Sequence, residues 1–168
     1  MLKFIVPTKK SRKVELKDIF RVLIDGFKIK WAMRKPFEGL YPFASSISHC
    51  QITDTDPLRF FVVDKEGGIS ERGVRLKQGT RLSKYFGARI IINPEIIEYG
   101  KNIIHHREAC MSIPDKPRKI KRYEVITMKY WTFFGPKTRK FYLYRSVLVQ
   151  HEIDHFDNIT YHNRYFKK

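Results

Sequence analysis

The sequence is short of cysteine and of long apolar runs, and each shortage excludes a class of protein. Its 168 residues include two cysteines, Cys50 and Cys110, too few for the disulfide framework of a small secreted domain. No apolar run approaches the roughly 20 residues of a membrane-spanning helix. The basic N-terminus also lacks the apolar core of a signal peptide. We therefore expect a cytoplasmic protein without a membrane partner, and import into an organelle is the less favoured alternative.

Acidic residues are scarce as well. The chain has 17 Asp and Glu against 34 Lys and Arg, which gives a net charge of +17. Basic clusters lie at residues 9–13, 116–122 and 167–168. A field of this sign attracts polyanions, so a nucleic acid partner, with ribosomal RNA as the favoured candidate, competes with the plainer interpretation of a solvated surface. A content of 42% hydrophobic residues indicates a folded chain, and the length fits one domain.

Hydrophobic periodicity predicts a helix near the N-terminus, from residue 14 to about residue 34. It ends before Pro36 because proline disfavours helical geometry in the residue that precedes it. Apolar residues recur along this helix at spacings of three and four, which predicts one face packed in the core. The residues of this face are Leu16, Ile19, Phe20, Leu23, Phe27 and Trp31.

Later segments alternate between strand and helix patterns. Residues 59–63 and 89–92 are predicted strands, the second ended by Asn93-Pro94. Residues 123–133 and 139–144 are predicted strands joined by a turn at Gly135-Pro136. A final helix is predicted from residue 146 to residue 155. The fold class is therefore α+β, a single domain of small antiparallel or mixed sheets around the C-terminal helix, and the glycine-rich, charged residues 65–87 are predicted to be a surface insertion.

The final helix carries the most informative pattern, Gln-His-Glu-Ile-Asp-His at residues 150–155. His151 and His155 are four residues apart, so both imidazoles lie on one helix face and can bind one metal ion. Glu152 lies about 100° around the helix from His151, where it can reach a water molecule as a general base without being a ligand. Two ordinary histidines on an amphipathic helix are the alternative. We favour the metal site because the apolar residues 147–149 precede the pattern, and buried polar groups are costly unless satisfied.

A catalytic site of this kind needs a third protein ligand and an open position. The residues that follow His155 offer no histidine at the spacing used by metallopeptidases with three histidine ligands. Cys110 is a suitable soft ligand from upstream. A buried cysteine that only packs is the alternative.

Two motifs in this order resemble those of the peptide deformylase family. EACMS at residues 108–112 resembles the family's EGCLS, and QHEIDH at residues 150–155 resembles its QHExDH. The resemblance runs from about Leu16 to Arg164. The family's first motif, GxGxAAPQ, is poorly preserved at residues 44–51, where Gln51 is kept. The sequence is more similar to short, divergent organellar or virus-encoded members than to bacterial housekeeping enzymes.

The resemblance implies a role for each matching residue. Cys110, His151 and His155 would be the metal ligands, and Glu152 would accept a proton from water and pass it to the departing amine. The side chain of Gln51 and the backbone N–H of Met111 would stabilise the oxyanion. Further expected roles are a buried salt bridge between Glu108 and Arg122, an apolar substrate pocket formed by Ile47, Val147 and Leu148, and backbone contacts to the peptide from Ser46 and Ala109.

The resemblance also implies a cofactor and partners. Ferrous iron is the favoured metal, with zinc, nickel or cobalt as alternatives, because one thiolate and two imidazoles suit all four. The substrate would be the N-formylmethionine of nascent polypeptides, and the protein would be a monomer. Only 13 residues follow His155, whereas many bacterial members continue into a long helix that contributes to ribosome docking. We expect the basic surface to replace that contact.

Departures from the family pattern leave two other functions open. Ala44, Ser46 and Ala109 replace glycines near the substrate, and His49 and Cys50 stand beside Gln51. Such changes fit a chain that keeps the fold as a non-catalytic, ribosome- or nucleic-acid-associated protein. The other alternative is a metallopeptidase that uses the HExxH helix.

Overall fold

The fold is built around one twisted antiparallel sheet with a helix on each face. It is described by a computed structural model for residues 3–33, 45–64 and 89–164. The helices are α1 (Ile19–Ala32), preceded by a 3₁₀ turn at Leu16–Asp18, and α2 (Leu143–Phe156). The strands are β1 (Ser46–Ser48), β2 (Phe60–Val63), β3 (Arg89–Tyr99), β4 (Ile103–Cys110), β5 (Ile113–Tyr123), β6 (Val125–Thr132) and β7 (Gly135–Tyr142).

Five strands form the main sheet in the order β1-β2-β3-β6-β7, and every neighbouring pair is antiparallel. Strands β4 and β5 form a separate antiparallel hairpin. This arrangement confirms the predicted α+β class. The predicted insertion at residues 65–87 lies outside the described residues and stays a prediction.

Successive side chains of β2 and β3 point to opposite faces of the sheet, so the hydrophobic core is divided into two clusters. Phe60 and Ile92 face one side and pack with α1, whereas Phe61 and Ile91 face the other side and pack with α2. This follows from the two-residue period of strands. Gly26 of α1 lies so close to β3 that a Cβ atom there would come within 2.4 Å of an Ile90 methyl carbon.

The predicted helix near the N-terminus exists, and Ile19 packs against the core as predicted, but most of the face assigned to the core is wrong. Leu16 and Phe20 are 89% and 80% exposed, and Trp31 is 57% exposed. The helix instead buries Val22, Gly26 and Ile29 against the sheet. Periodicity identified the helix but not its buried side, because α1 is apolar on two faces and the smaller residues fit the close approach to β3.

Three boundaries differ from those predicted. Strand β3 does not stop at Asn93-Pro94. It passes through a register shift there, with Asn93 at a φ of 48°, and continues to Tyr99. The side chain of Asn93 bonds the backbone of Val14 in both directions, at 2.8 and 2.9 Å. The β6–β7 turn is at residues 133–134, and α2 starts at Leu143.

His49 is completely buried beside the sheet, and its hydrogen bonds fix one tautomer. Its Nδ1 accepts from the backbone N–H of Leu58 at 2.9 Å, which leaves the proton on Nε2, 3.2 Å from a carboxylate oxygen of Asp25. The ring stacks on Phe60. Burial outweighs the effect of Asp25 and lowers the pKa of His49 from 6.5 to about 4. His49 therefore packs in its neutral form.

The buried neutral state of His49 predicts a loss of stability in mild acid. The unfolded chain takes up a proton near pH 6.5 and the folded chain only near pH 4, so stability falls as the pH decreases through this window. The full loss is on the order of 3 kcal/mol. Urea unfolding at pH 7 and pH 4 is expected to show this excess loss in the wild type relative to His49→Gln. Parallel pH profiles for the two proteins would contradict the assignment.

Candidate metal centre

The predicted ligands meet in one buried place. Cys110 ends β4, and His151 and His155 lie one turn apart on α2. The Cys110 sulfur is 3.3 Å from Nε2 of His155, and the two Nε2 atoms are 3.0 Å apart. All three ligand atoms lie within 4.8 Å of one another. The structure therefore brings together one sulfur and two nitrogens that the sequence separates by more than 40 residues.

The donor set fits a tetrahedral or distorted tetrahedral metal ion. Metal–sulfur bonds of about 2.3 Å and metal–nitrogen bonds of about 2.0 Å place such donors roughly 3.3 to 3.6 Å apart. The observed separations of 3.3 and 3.0 Å are close to this range. The imidazole rings are nearly perpendicular, at 87°, so their lone pairs can converge on one point. Cys110, His151 and His155 could therefore hold the ion.

Glu108 orients the first histidine. One of its carboxylate oxygens lies 2.8 Å from Nδ1 of His151, so Nδ1 carries the proton and Nε2 is free to act as a ligand. The surrounding negative groups outweigh burial and raise the pKa of His151 above its ordinary value. The centre therefore favours positive charge.

Arg122 joins the hairpin to the helix at this point, and the predicted salt bridge to Glu108 is present. The guanidinium, fully buried, donates to both carboxylate oxygens of Glu108, at 2.6 and 2.7 Å, and to Asp154 of α2. Burial alone would raise the pKa of Glu108, but the hydrogen bonds from Arg122 and His151 lower it to about 2. Glu108 is therefore an anion at neutral pH.

Glu152 is buried beside the ligands and held by two serine hydroxyls. Ser46 and Ser48 each donate to one of its carboxylate oxygens at 2.5 Å. Burial raises the pKa of Glu152, and the nearby His151 and the two serines act in the opposite direction. The sequence analysis predicted that Ser46 offers its backbone to the peptide. It did not predict that the Ser46 side chain contacts Glu152, and it did not identify Ser48. Their spacing of two on a strand is the signal that they share a face.

Gln51 presents its amide group to the centre. Its oxygen accepts from the backbone N–H of Ser48 at 2.8 Å, which fixes the orientation of the side chain. Its nitrogen consequently lies 3.3 Å from the Cys110 sulfur and 2.9 Å from the hydroxyl of Ser112. The amide N–H groups are therefore directed at Cys110 and Ser112, beside the candidate ligands.

A cavity of about 230 Å³ opens beside these groups. Ser46, Ala109, Met111, Val147 and Leu148 line it, and the predicted contacts of these residues with substrate stay predictions. Ile47 does not line the cavity. Alternation along β1 turns Ile47 toward α1, where it is fully buried in the other hydrophobic cluster.

The cavity also has polar walls that sequence reasoning missed, formed by Ser45, His106, Arg107 and Tyr144. His106 precedes Glu108 by two residues on β4, so the strand period places both on one face. Its ring lies 5.5 Å from that of Tyr144, and its buried Nδ1 has no hydrogen-bond partner within the described ranges.

Cys50 is a different kind of cysteine. It is 1% exposed in the cluster under α2, and burial raises the pKa of its thiol to about 12. The thiol is therefore protonated and packs as a small apolar group.

Comparison with known proteins agrees with this geometry. The sequence model described as polypeptide deformylase matches residues 50–168. A peptide deformylase of Wolbachia pipientis from Culex pipiens is 30% identical over 135 residues, which cover 80% of this chain and 72% of the relative.

The chain belongs to the polypeptide deformylase family.

Solved structures of deformylases share the fold. The Thermotoga maritima peptide deformylase aligns with a TM-score of 0.72 at 22% identity, over 99% of each chain. A class I type b peptide deformylase from Acinetobacter baumannii, bound to Met-Ala-Ser, aligns with a TM-score of 0.71 at 20% identity, over 98% of each chain. At these identities the likeness concerns the fold. It confirms the predicted single-domain α+β architecture with its C-terminal helix.

The contact between Glu108 and His151 predicts that Glu108→Gln weakens metal binding. The amide keeps the size of the side chain but removes the negative charge that polarises the imidazole. We expect the affinity for zinc to fall 10- to 100-fold, measured by competition with a chromogenic chelator. Glu95→Gln, at a half-exposed ion pair with Lys129, is the matched control and should leave the affinity unchanged. Equal affinities for the two variants would contradict the assigned role of Glu108.

Proposed function

We propose that the chain hydrolyses the formamide bond of N-formylmethionyl peptides, as a metal-dependent deformylase. One observation carries the proposal. Two members of the Cys/His/His ligand set, Cys110 and His151, border the same cavity as the buried carboxylate of Glu152 and the oriented amide of Gln51. A bound divalent ion would polarise the formyl carbonyl and make water more acidic. The chain's own residues would do the remaining work.

Glu152 is suited to carry the proton. In its anionic form it accepts a proton from the attacking water, and Ser46 and Ser48 hold its oxygens in place meanwhile. Burial raises its pKa, which favours the protonated form that would deliver the proton to the departing amine. The atoms balance, since water is consumed and formate and a free amine are released.

Gln51 would stabilise the tetrahedral intermediate. Its side-chain N–H groups can donate to the oxyanion that develops on the formyl oxygen, and the backbone N–H of Met111, in the turn after Cys110, would be a second donor. Both donors are fixed before substrate arrives, because Ser48 orients the amide and the β4–β5 turn positions Met111.

The cavity suits a methionine side chain. Val147 and Leu148 supply its apolar wall, and Ser46 and Ala109 border it where they can offer backbone groups to an extended peptide. The Acinetobacter baumannii protein was crystallised with Met-Ala-Ser, the peptide that remains when formyl-Met-Ala-Ser is deformylated. We propose the same class of substrate here.

Ferrous iron is the proposed physiological metal, with zinc, nickel and cobalt as alternatives that suit the same donors. A thiolate ligand needs a reducing compartment. Both described cysteines are free, which supports the proposed cytoplasmic location. Fractionation of the native host cell would test that location, and recovery with an oxidising compartment would contradict it.

Ribosome association is proposed from the hairpin. Strand β5 carries four exposed basic residues, Lys116, Arg118, Lys119 and Lys121. Among them Arg118 pairs with Asp115 at 3.4 Å. Polyphosphate contacts of this kind are weakened steeply by salt. The monomeric protein is therefore expected to pellet with ribosomes at about 50 mM salt and to be released near 300 mM. Pelleting that does not change with salt concentration, or a lack of pelleting at low salt, would contradict this proposal.

The function predicts a specific kinetic signature for Glu152. Glu152→Gln keeps the shape of the side chain and one of the two hydrogen bonds that it accepts from Ser46 and Ser48, but it cannot accept the proton. We expect full metal occupancy and a fall in kcat of about 10³-fold or more on formyl-Met-Ala-Ser, measured by formate release. Glu95→Gln should have the wild-type rate.

Two outcomes would contradict the proposal. An unchanged rate in Glu152→Gln would refute the assigned base. Hydrolysis of unformylated Met-Ala-Ser by the wild type would favour the metallopeptidase instead.

A further inference from the structure

Two cavities lie next to each other at the start of α2. The first, of about 230 Å³, borders the candidate metal centre. The second has a volume of about 240 Å³ and borders none of the three candidate ligands. Ser45, Tyr144 and Leu148 line both cavities. A side chain that lines two neighbouring cavities stands between them, so we call these three residues the partition.

Contacts from three parts of the chain fix the tyrosine of the partition. The Tyr144 hydroxyl donates to Oγ of Ser45 at 3.1 Å, which ties the first turn of α2 to the segment that enters β1. Its ring lies 5.5 Å from the ring of His106 on β4. Leu148 follows one turn along the helix, so its side chain lies on the same helix face. The phenol ring therefore has a fixed place between the two cavities.

The second cavity has an apolar floor. Phe61, Ile91, Met128 and Val149 line it, and each is at most 4% exposed. They come from β2, β3, β6 and α2 and belong to the hydrophobic cluster under that helix. A surface of this kind binds aliphatic groups, because the removal of aliphatic carbon from water is favourable.

Charged residues mark the solvent side of the second cavity. Arg89 and Arg139 line it and are exposed, and Arg145 and Asp64 complete this border. The buried floor, and not the charged border, is the part that suits an aliphatic group.

We propose that Tyr144 determines which side chain the substrate can carry at its first residue. This inference rests on the proposed function, in which the methionine side chain occupies the first cavity. That side chain would end against the phenol ring, because the partition closes the cavity on this side. Without the ring the two cavities would be continuous, and a longer unbranched side chain would reach the apolar floor of the second. Tyr144 therefore acts on specificity and not on proton transfer.

Two plainer roles make different predictions. If Tyr144 only packs against His106, its loss lowers the rates on all substrates alike and cannot favour a longer one. If the second cavity is a separate site for an anion, the partition has no effect on side-chain preference. The carboxylate of Asp64 on the border of that cavity opposes an anion there.

The test compares formyl-Met-Ala-Ser with formyl-2-aminodecanoyl-Ala-Ser, whose unbranched side chain is longer than that of methionine. Tyr144→Ala opens the partition. Val149→Ala is the matched control, because it enlarges the second cavity and leaves the partition intact. We expect the ratio of the two kcat/KM values to shift about 100-fold toward the long side chain in Tyr144→Ala. The ratio should stay at the wild-type value in Val149→Ala.

Two further variants separate the ring from its hydrogen bond. Tyr144→Phe removes the contact with Ser45 but keeps the ring, so its shift should be smaller than that of Tyr144→Ala. Tyr144→Leu keeps an apolar side chain of intermediate size on the same helix face. It takes the place of the alanine variant should that variant fail to fold.

Calorimetric binding of the unformylated peptides gives a readout without turnover. Tyr144→Ala should bind 2-aminodecanoyl-Ala-Ser about tenfold more tightly, relative to Met-Ala-Ser, than the wild type does. A wild type that hydrolyses neither formyl peptide would contradict the proposed function alone, and the binding ratio would then decide the role of Tyr144. An unchanged ratio, an equal shift in Val149→Ala or a uniform loss on both peptides would overturn the inference.

Discussion

The structure depends on one buried guanidinium. Arg122 lies at the end of the β4–β5 hairpin and binds Glu108 of β4 and Asp154 of α2 at once. The hairpin belongs to a separate sheet, so this ion-pair network is what fixes Cys110 relative to the two histidines. Gln150 reinforces the junction, since its side-chain amide bonds both the N–H and the C=O of Tyr123. Removing one member of such a network would leave a buried charge unpaired, at a cost of about 3–5 kcal/mol.

The network also explains why motifs far apart in sequence act together. Glu108 holds Arg122 with both oxygens and His151 with one of them. Asp154, largely buried on the same helix turn, accepts hydrogen bonds from Arg122 and Arg164. Glu108 and Asp154 are therefore both engaged in this network, and Glu152 is the remaining acidic residue of the two motifs, the one to which we assign the proposed proton transfer.

Sequence reasoning predicted what depends on local spacing and chemistry. The four-residue interval of His151 and His155 placed both on one face, and the α+β class followed from the order of the patterns. It did not predict the side of the sheet or helix to which a side chain points, because that depends on tertiary packing. Ile47 turned to the α1 side because β1 pairs with β2 in one register, and the contact of Ser48 with Glu152 required the same register. The wrong face of α1 has a similar cause, since the helix offers two apolar sides and only the close approach at Gly26 selects between them.

X-ray absorption of the zinc-loaded protein tests the central claim most directly. The account predicts one sulfur at about 2.3 Å and nitrogen or oxygen neighbours at about 2.0–2.1 Å from each ion, with one ion per chain and the sulfur shell lost in Cys110→Ser. A first shell without sulfur in the wild type would show that Cys110 and the helix histidines do not share a metal, and the catalytic account would then be wrong.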